Sequence, residues 1–100
     1  MSETRKILRL TVSGRVQGVG FRAYVAHGAA RLGLAGWTRN RGYDQVETVA
    51  TGGETALAEF VALVRRGPPS ARVDRFELKD ADEADLALAE DDGFVVLPSV

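Results

Sequence analysis

The chain has no cysteine, one histidine and three prolines among its 100 residues. The lack of cysteine excludes disulfides, zinc–thiolate sites and cysteine nucleophiles. With His27 as the only histidine, histidine pairs and histidine-rich metal sites are excluded as well. The sequence shows neither a membrane-length apolar run nor a basic-then-apolar signal segment. We therefore expect no metal, no other cofactor and no membrane partner, and we expect the protein to be cytoplasmic.

Acidic residues are missing from a long stretch of the first half. From Thr4 to Tyr43 the sequence has eight Lys or Arg and no Asp or Glu, although the whole chain carries a net charge of −1. From Asp74 to the end, nine acids stand against two basic residues. Positive charge concentrated in one half of the chain would attract anionic ligands towards that half. The alternative is a solvated surface on which charges of opposite sign happen to be segregated.

The hydrophobic content bounds the size of the core. A hydrophobic share of 45% in a chain of 100 residues is enough for one core and not for two. No internal repeat and no linker between domains is visible. We expect a single domain over residues 1–100, and we expect a monomer.

The hydrophobic pattern alternates between strand and helix periods along the chain. Apolar residues at helical spacing predict a helix from Phe21 to Leu32 and a second one that begins at a Thr51–Glu54 capping-box spacing and ends at Gly67. The acidic segment Asp80–Asp92 is expected to be an exposed loop with at most a frayed turn. Strands are predicted at residues 7–13, 36–41, 45–51, 72–79 and 94–97.

The order of these elements predicts the fold. The sequence β-α-β-β-α-β, followed by a short last strand, is that of an α+β ferredoxin-like sandwich. In that plan an antiparallel sheet carries two helices on one face. The plan serves many chemistries and many binding modules, so the fold alone does not assign a function.

A glycine-rich segment links the first strand to the first helix. Between Ser13 and Arg22 it reads S-G-R-V-Q-G-V-G-F-R. Gly14, Gly18 and Gly20 let consecutive backbone N–H groups point into one concavity, so we expect the Gly14–Gly20 loop to bind an anion. The helix N-terminus adds partial positive charge. Arg22 can then bind a phosphate or carboxylate with its planar guanidinium group. The alternative is a tight connection between strand and helix with a solvated arginine. Because no Gly-Lys-Ser/Thr follows the glycines, the segment is not a Walker A motif and does not imply nucleoside triphosphate binding.

A second segment follows one helix later and reads G-W-T-R-N at residues 36–40. Together, residues 14–22 and 36–40 resemble the two signature stretches of the acylphosphatases, and the resemblance extends from about Leu8 to Phe94. It implies the same ferredoxin-like fold. It also implies an enzyme that hydrolyses small acyl phosphates to a carboxylate and inorganic phosphate, with phosphate as product and inhibitor.

The resemblance implies a role for particular residues. Arg22 would hold the phosphoryl oxygens and Asn40 would orient the attacking water. An amide suits that role because it donates and accepts hydrogen bonds without repelling an anion, although Asn40 could equally be a turn residue that bonds locally. The backbone N–H groups expected to bind the phosphoryl oxygens are those of Arg15, Val16, Gln17, Gly18, Val19 and Gly20.

The implied reaction needs little help from side chains. An acyl phosphate already has a good leaving group, so neither a strong general acid nor a metal is required. No base can be assigned from the sequence, and the substrate phosphate could itself take the proton of the water. We expect His27 to be a surface residue, and we expect Phe21 and Trp37 to belong to the core. Arg39 is expected on a solvated strand face.

The turn after Asn40 departs from the family pattern. Acylphosphatases commonly carry Asp-Gly there, whereas this chain reads Gly42-Tyr43-Asp44-Gln45. We expect Gly42 to supply the positive φ that such a turn needs. The last predicted strand, Phe94–Leu97, is apolar throughout, which suggests an edge covered by the acidic segment or by a partner subunit.

Two other functions fit the predicted fold. The same domain occurs at the head of larger carbamoyl-transfer maturation enzymes, where it could bind a carboxyl or carbamoyl phosphate without turnover. An RNA-binding domain of the same element order would need exposed aromatic residues on its central strands. The segments Leu8–Val12 and Val46–Ala50 contain none, so we expect no nucleic acid partner.

Overall fold

The computed structural model describes residues 5–89 and 93–100. The chain forms five strands and three helices there. In chain order they are β1 (Arg5–Arg15), α1 (Phe21–Arg31), β2 (Ala35–Arg41), β3 (Gln45–Gly53), α2 (Glu54–Arg66), β4 (Arg72–Asp80), α3 (Glu83–Leu86) and β5 (Phe94–Val96).

The strands form one sheet in the order β4-β1-β3-β2-β5. The first four strands pair antiparallel, which confirms the predicted ferredoxin-like fold. The prediction of a purely antiparallel sheet was wrong at one edge, because β5 pairs parallel to β2. The chain leaves β4 at one edge, crosses the sheet and re-enters beyond β2, so β5 runs in the direction of β2.

The two long helices pack on one face of the sheet, as predicted. Their apolar sides meet alternate strand residues, because side chains of a strand point to opposite faces in turn. Gly28 lies against Leu63 of α2, where an added Cβ would stand 2.8 Å from Leu63 Cδ1. That glycine therefore allows the close packing of α1 against α2. The core includes Leu10, Val12, Val16, Phe21, Val25, Val46, Leu57, Phe60 and Val64.

The acidic segment crosses the opposite face of the sheet. Most of its described residues are exposed, as predicted, but Asp85 and Leu86 are half-buried and the expected frayed turn is a short helix. The segment contains α3, whose start is fixed by a capping box between Asp82 and Asp85. Asp85 bonds Arg9 at 2.7 Å through its carboxylate and accepts the Trp37 indole N–H at 2.9 Å through its carbonyl. These contacts bury Trp37 completely. The predicted residues 90–92 of that segment lie outside the described part.

The predicted capping box before α2 was also wrong. Thr51 belongs to β3, pairs with Ile7 and Ala35, and donates its hydroxyl to the Lys6 carbonyl. The N-cap of α2 is Gly53, which makes no side-chain cap. Thr51 is therefore paired within the sheet and does not cap the helix as its spacing to Glu54 predicted.

The C-terminal segment continues along β2 after β5 ends. The N–H of Leu97 donates to the Thr38 carbonyl, and the N–H of Val100 donates to the Asn40 carbonyl at 3.0 Å. The backbone of β2 is therefore held on both sides up to Asn40. In the part of the chain that the structure describes, no helix is long and apolar enough to cross a membrane.

Candidate active site

A cavity of about 270 Å³ lies at the N-terminus of α1. It brings together Arg22 from the first turn of the helix and Asn40 from the end of β2. These are the two side chains that the sequence singled out. The cavity is lined by Val16, Gly18, Gly20, Phe21, Arg22, Ala23, Asn40 and Val96.

The loop wall of this cavity depends on two left-handed glycines. Gly18 has φ 72° and Gly20, the N-cap of α1, has φ 78°. Both are positive, as the proposed turn of the backbone requires. Within residues 5–89 and 93–100, the backbone N–H groups of residues 16–20 make no hydrogen bond to a carbonyl or side chain. The first N–H groups of α1 are free by helix geometry as well. This end of the helix therefore presents several unpaired donors and a partial positive charge.

Gly14 does not belong to that wall, which corrects the expectation that the loop begins there. Gly14 and Arg15 are strand residues of β1, paired with Val73 and Arg72 across a bulge. Arg15 does not line the cavity, so the proposed cradle begins at residue 16 and not at the predicted Arg15. The N–H of Gly14 is already used by the Asp44 carbonyl at 3.0 Å. A Cβ at Gly14 would stand 2.5 Å from the Arg72 carbonyl oxygen, so the glycine is needed for close strand pairing.

The other predicted loop residues have structural contacts of their own. The Gln17 side chain amide donates to the Gly42 carbonyl at 3.0 Å and to the Gln45 carbonyl at 2.9 Å. It thereby ties the loop to the turn that follows Asn40. Gly42 has φ 61°, as we expected of that turn. Val19 packs against the core, and its carbonyl accepts the Ser70 hydroxyl.

Arg22 is half-buried in the first turn of α1, where no acidic residue accompanies it. It forms no hydrogen bond or ion pair with any other residue that the structure describes. A cation in that position is unfavourable with the helix dipole unless an anion compensates it. The site therefore holds an uncompensated guanidinium group next to free N–H donors.

Asn40 points towards α1, because it pairs with Val46 and shares the helix-covered face of the sheet. Its Oδ1 atom is buried and accepts no hydrogen bond from the described residues. Native proteins rarely leave a buried acceptor unpaired, because the lost hydration costs about 1–3 kcal/mol. Asn40 Oδ1 is thus an acceptor that is available to a donor in the cavity.

The other face of the sheet holds a cluster of charges that the sequence did not predict. Arg39 donates from Nε to Glu47 at 2.8 Å and lies 4.8 Å from the centre of the Trp37 ring. Arg39 is therefore not the solvated residue that we expected. Arg41 and Arg9 also donate to the Glu47 carboxylate, whose side chain is only 1% exposed.

These pairs correct the expectation of an uncompensated basic half. Four of its eight cations are neutralised by acids from later in the chain. They are Lys6 with Glu54, Arg9 with Glu47 and Asp85, and Arg39 and Arg41 with Glu47. The steering field near the cavity is therefore weaker than the sequence count suggests.

Asp85 has a pKa below its ordinary value of 3.8. Its carboxylate accepts the Asp82 backbone N–H at 3.1 Å and binds Arg9, and both contacts favour the charged form. His27 is exposed, as predicted, and does not line the cavity. Among the described residues no group of three or more His, Cys, Asp or Glu is placed to hold a metal ion.

The chain is similar to known proteins over nearly its full length. A family model described as acylphosphatase matches residues 8–95. The chain belongs to the acylphosphatase family. An acylphosphatase from Bradyrhizobium diazoefficiens is 48% identical, with 97% of this chain and 99% of that protein covered.

Solved structures agree with this family assignment. The crystal structure of acylphosphatase from Bacillus subtilis superposes with a TM-score of 0.79 and 36% identity, covering 94% of this chain and 99% of that one. The crystal structure of T. kodakarensis HypF gives a TM-score of 0.73 and 33% identity, but the matched part is only 12% of that chain. Acylphosphatases hydrolyse acyl phosphates, so the predicted family, fold and enzyme class are confirmed.

Proposed function

We propose that the α1 cavity is the active site of this acylphosphatase and that it binds the phosphoryl group of the substrate. The free N–H groups of residues 16–20 and the Arg22 guanidinium group would hold the phosphoryl oxygens. Such donors stabilise charge that spreads over the equatorial oxygens in the transition state of phosphoryl transfer. The unpaired state of Arg22 beside a helix N-terminus is the observation that carries this assignment.

Asn40 would place the attacking water. Its buried Oδ1 accepts a water proton and thereby turns a lone pair of the water oxygen towards phosphorus, in line with the leaving carboxylate. The amide carries no charge, so it does not repel the substrate. Holding the water in this geometry removes much of the entropic cost of attack.

The rest of the reaction follows from the substrate. The water oxygen forms the new P–O bond while the bond from phosphorus to the carboxylate oxygen breaks, and the carboxylate leaves with the electron pair. Among the residues that the structure describes, no carboxylate or histidine lines the cavity, so we assign the proton of the water to an oxygen of the transferred phosphate. The same lining offers Arg22 in the place where other phosphoryl transfer enzymes use a metal ion.

Nuclear magnetic resonance tests the binding site directly. Inorganic phosphate, added to 15N-labelled protein, should shift the backbone amide signals of residues 16–20 and the Nε signal of Arg22. The signals of Arg9, Arg39 and Arg41 on the opposite face serve as the internal control. Shifts confined to that opposite cluster would place the anion site there and contradict the proposal.

Several predictions from the sequence remain to be measured. Inhibition by inorganic phosphate follows from the proposed site, since the product fills the same cradle as the substrate. The single domain over residues 1–100, the monomeric state, the cytoplasmic location and the lack of a nucleic acid partner stay predictions.

A further inference from the structure

Asn40 stands between two arginines that share one buried partner. Arg39 and Arg41 flank it in β2 and place their side chains on the sheet face opposite to the cavity. Both donate to Glu47 of β3, from Arg39 Nε at 2.8 Å and from Arg41 Nη1 at 3.3 Å. The Glu47 side chain is only 1% exposed.

A third arginine completes the cluster. Arg9 of β1 donates to the same Glu47 carboxylate and to Asp85 of α3. The Glu47 carboxylate thus joins β1, β2 and β3 immediately behind Asn40. The position of this buried carboxylate is firmly held, because moving it away would leave three guanidinium groups close together without a counter-charge in a partly buried site.

We propose that Glu47 is a positioning residue that fixes the direction of the Asn40 side chain. This inference rests on the proposed role of Asn40 in placing water. In a pleated strand, residues 39, 40 and 41 share one backbone segment, and their side chains point alternately to opposite faces. Contacts that hold the side chains of residues 39 and 41 therefore also fix the backbone from which the Asn40 side chain projects. A shift of about 1 Å in such a group can cost about 100-fold in rate.

The phosphate cradle meets this cluster at one backbone atom. The Gln17 side-chain amide donates to the Arg41 carbonyl at 3.5 Å. Within the described part of the chain, the side chains of Glu47, Arg39 and Arg41 make no hydrogen bond to residues 16–20 or to Arg22. The effect of Glu47 should therefore fall on kcat and not on the binding of phosphate. A purely structural role would weaken both together.

The test compares Glu47→Gln with Glu77→Gln. Glu77 is the matched control because it is also a strand glutamate paired with an arginine, Arg75 at 3.4 Å, but it lies on the edge strand β4 and forms no ion pair with Arg9, Arg39 or Arg41 among the described residues. Three quantities are measured below the melting temperature of each variant: kcat and KM for benzoyl phosphate, the Kd of inorganic phosphate, and the 15N order parameter of the Asn40 side-chain amide.

Glu47→Gln should lower kcat by about 10-fold or more, with KM and the phosphate Kd within about twofold of wild type. It should also lower the Asn40 order parameter, while Glu77→Gln changes none of these quantities. An unchanged kcat, or a phosphate Kd that weakens in parallel with kcat, overturns the inference. If Asn40→Ala itself leaves kcat intact, the proposed function fails instead.

Arg41→Met covers the case in which Glu47→Gln does not fold. The Arg41 side chain is 58% exposed, so its replacement leaves the core intact and removes one of the three contacts to Glu47. A smaller fall in kcat at constant phosphate Kd supports the inference. A kcat equal to that of wild type contradicts it.

Discussion

Arg22 and Asn40 line the same cavity of about 270 Å³ although one begins a helix and the other ends a strand. The helix brings a cation with unpaired donors, and the strand brings a neutral amide with a buried, unpaired oxygen. The two side chains therefore offer different chemistry to one ligand. This pairing fits a phosphoryl group on the helix side and a water on the strand side.

Arg22→Ala should abolish tight binding and turnover together. Loss of a charge-assisted, two-point contact should remove about 2–4 kcal/mol of transition-state stabilisation, measured as kcat/KM for benzoyl phosphate. Arg31→Ala is the control, because Arg31 is exposed in the last turn of the same helix. Activity of Arg22→Ala within about threefold of wild type would refute the assignment.

Asn40→Ala should separate catalysis from binding. Its contact with water matters mainly in the transition state, so kcat should fall by about 100-fold or more while inorganic phosphate still binds. Calorimetry gives the phosphate Kd for this variant and for Arg22→Ala side by side. Equal loss of phosphate affinity in the two variants would show that Asn40 holds the phosphoryl group and not the water.

Gly18→Val and Gly33→Val should cost similar stability but differ in function. Gly18 has φ 72° and Gly33 has φ 71°, and neither would place a Cβ within 4 Å of another group. Each valine should therefore cost about 1–2 kcal/mol of unfolding free energy through backbone strain alone. Only Gly18→Val should raise the inhibition constant of phosphate. Equal inhibition constants for both variants would make the Gly18 turn purely structural.

Asp85→Asn should destabilise the protein at neutral pH and much less in acid. The pKa of Asp85 is lowered in the folded state, so its ionised form stabilises the fold above the ordinary pKa of 3.8. That contribution is lost as the pH falls through the folded pKa. Thermal melts of wild type and Asp85→Asn should therefore converge below pH 3.8. Asp80→Asn is the control for removal of an exposed carboxylate. A melting difference that is constant with pH would exclude a charge effect.

The sequence was most informative for features that depend only on residues close together in the chain. The glycines before Arg22 and the turn residue Gly42 indicated positive φ, and the structure has it at Gly18, Gly20 and Gly42. Asn40 could be predicted from its segment and from its place before a turn. The alternation of β2 also places Arg39 and Arg41 on the face away from Asn40.

The features that the sequence did not predict depend on contacts between distant parts of the chain. Arg9 and Asp85 are 76 residues apart, and no local spacing indicates that they meet. Glu47 is different, because a three-residue loop pairs Arg41 with Gln45 and places Glu47 opposite Arg39. That register was the one signal that could have revealed the cluster. The Thr51 capping pattern failed because pairing within the sheet outweighed a single side-chain cap.

Hydrolysis of benzoyl phosphate in the presence of EDTA decides whether the α1 cavity catalyses phosphoryl transfer without a metal ion. We expect rapid hydrolysis to benzoate and phosphate, unchanged by the chelator, because Arg22 and the loop donors supply the positive charge that the transition state needs. A binding module would retain phosphate affinity but leave benzoyl phosphate intact. Intact benzoyl phosphate, or activity that disappears with EDTA and returns with magnesium, would contradict the proposed active site.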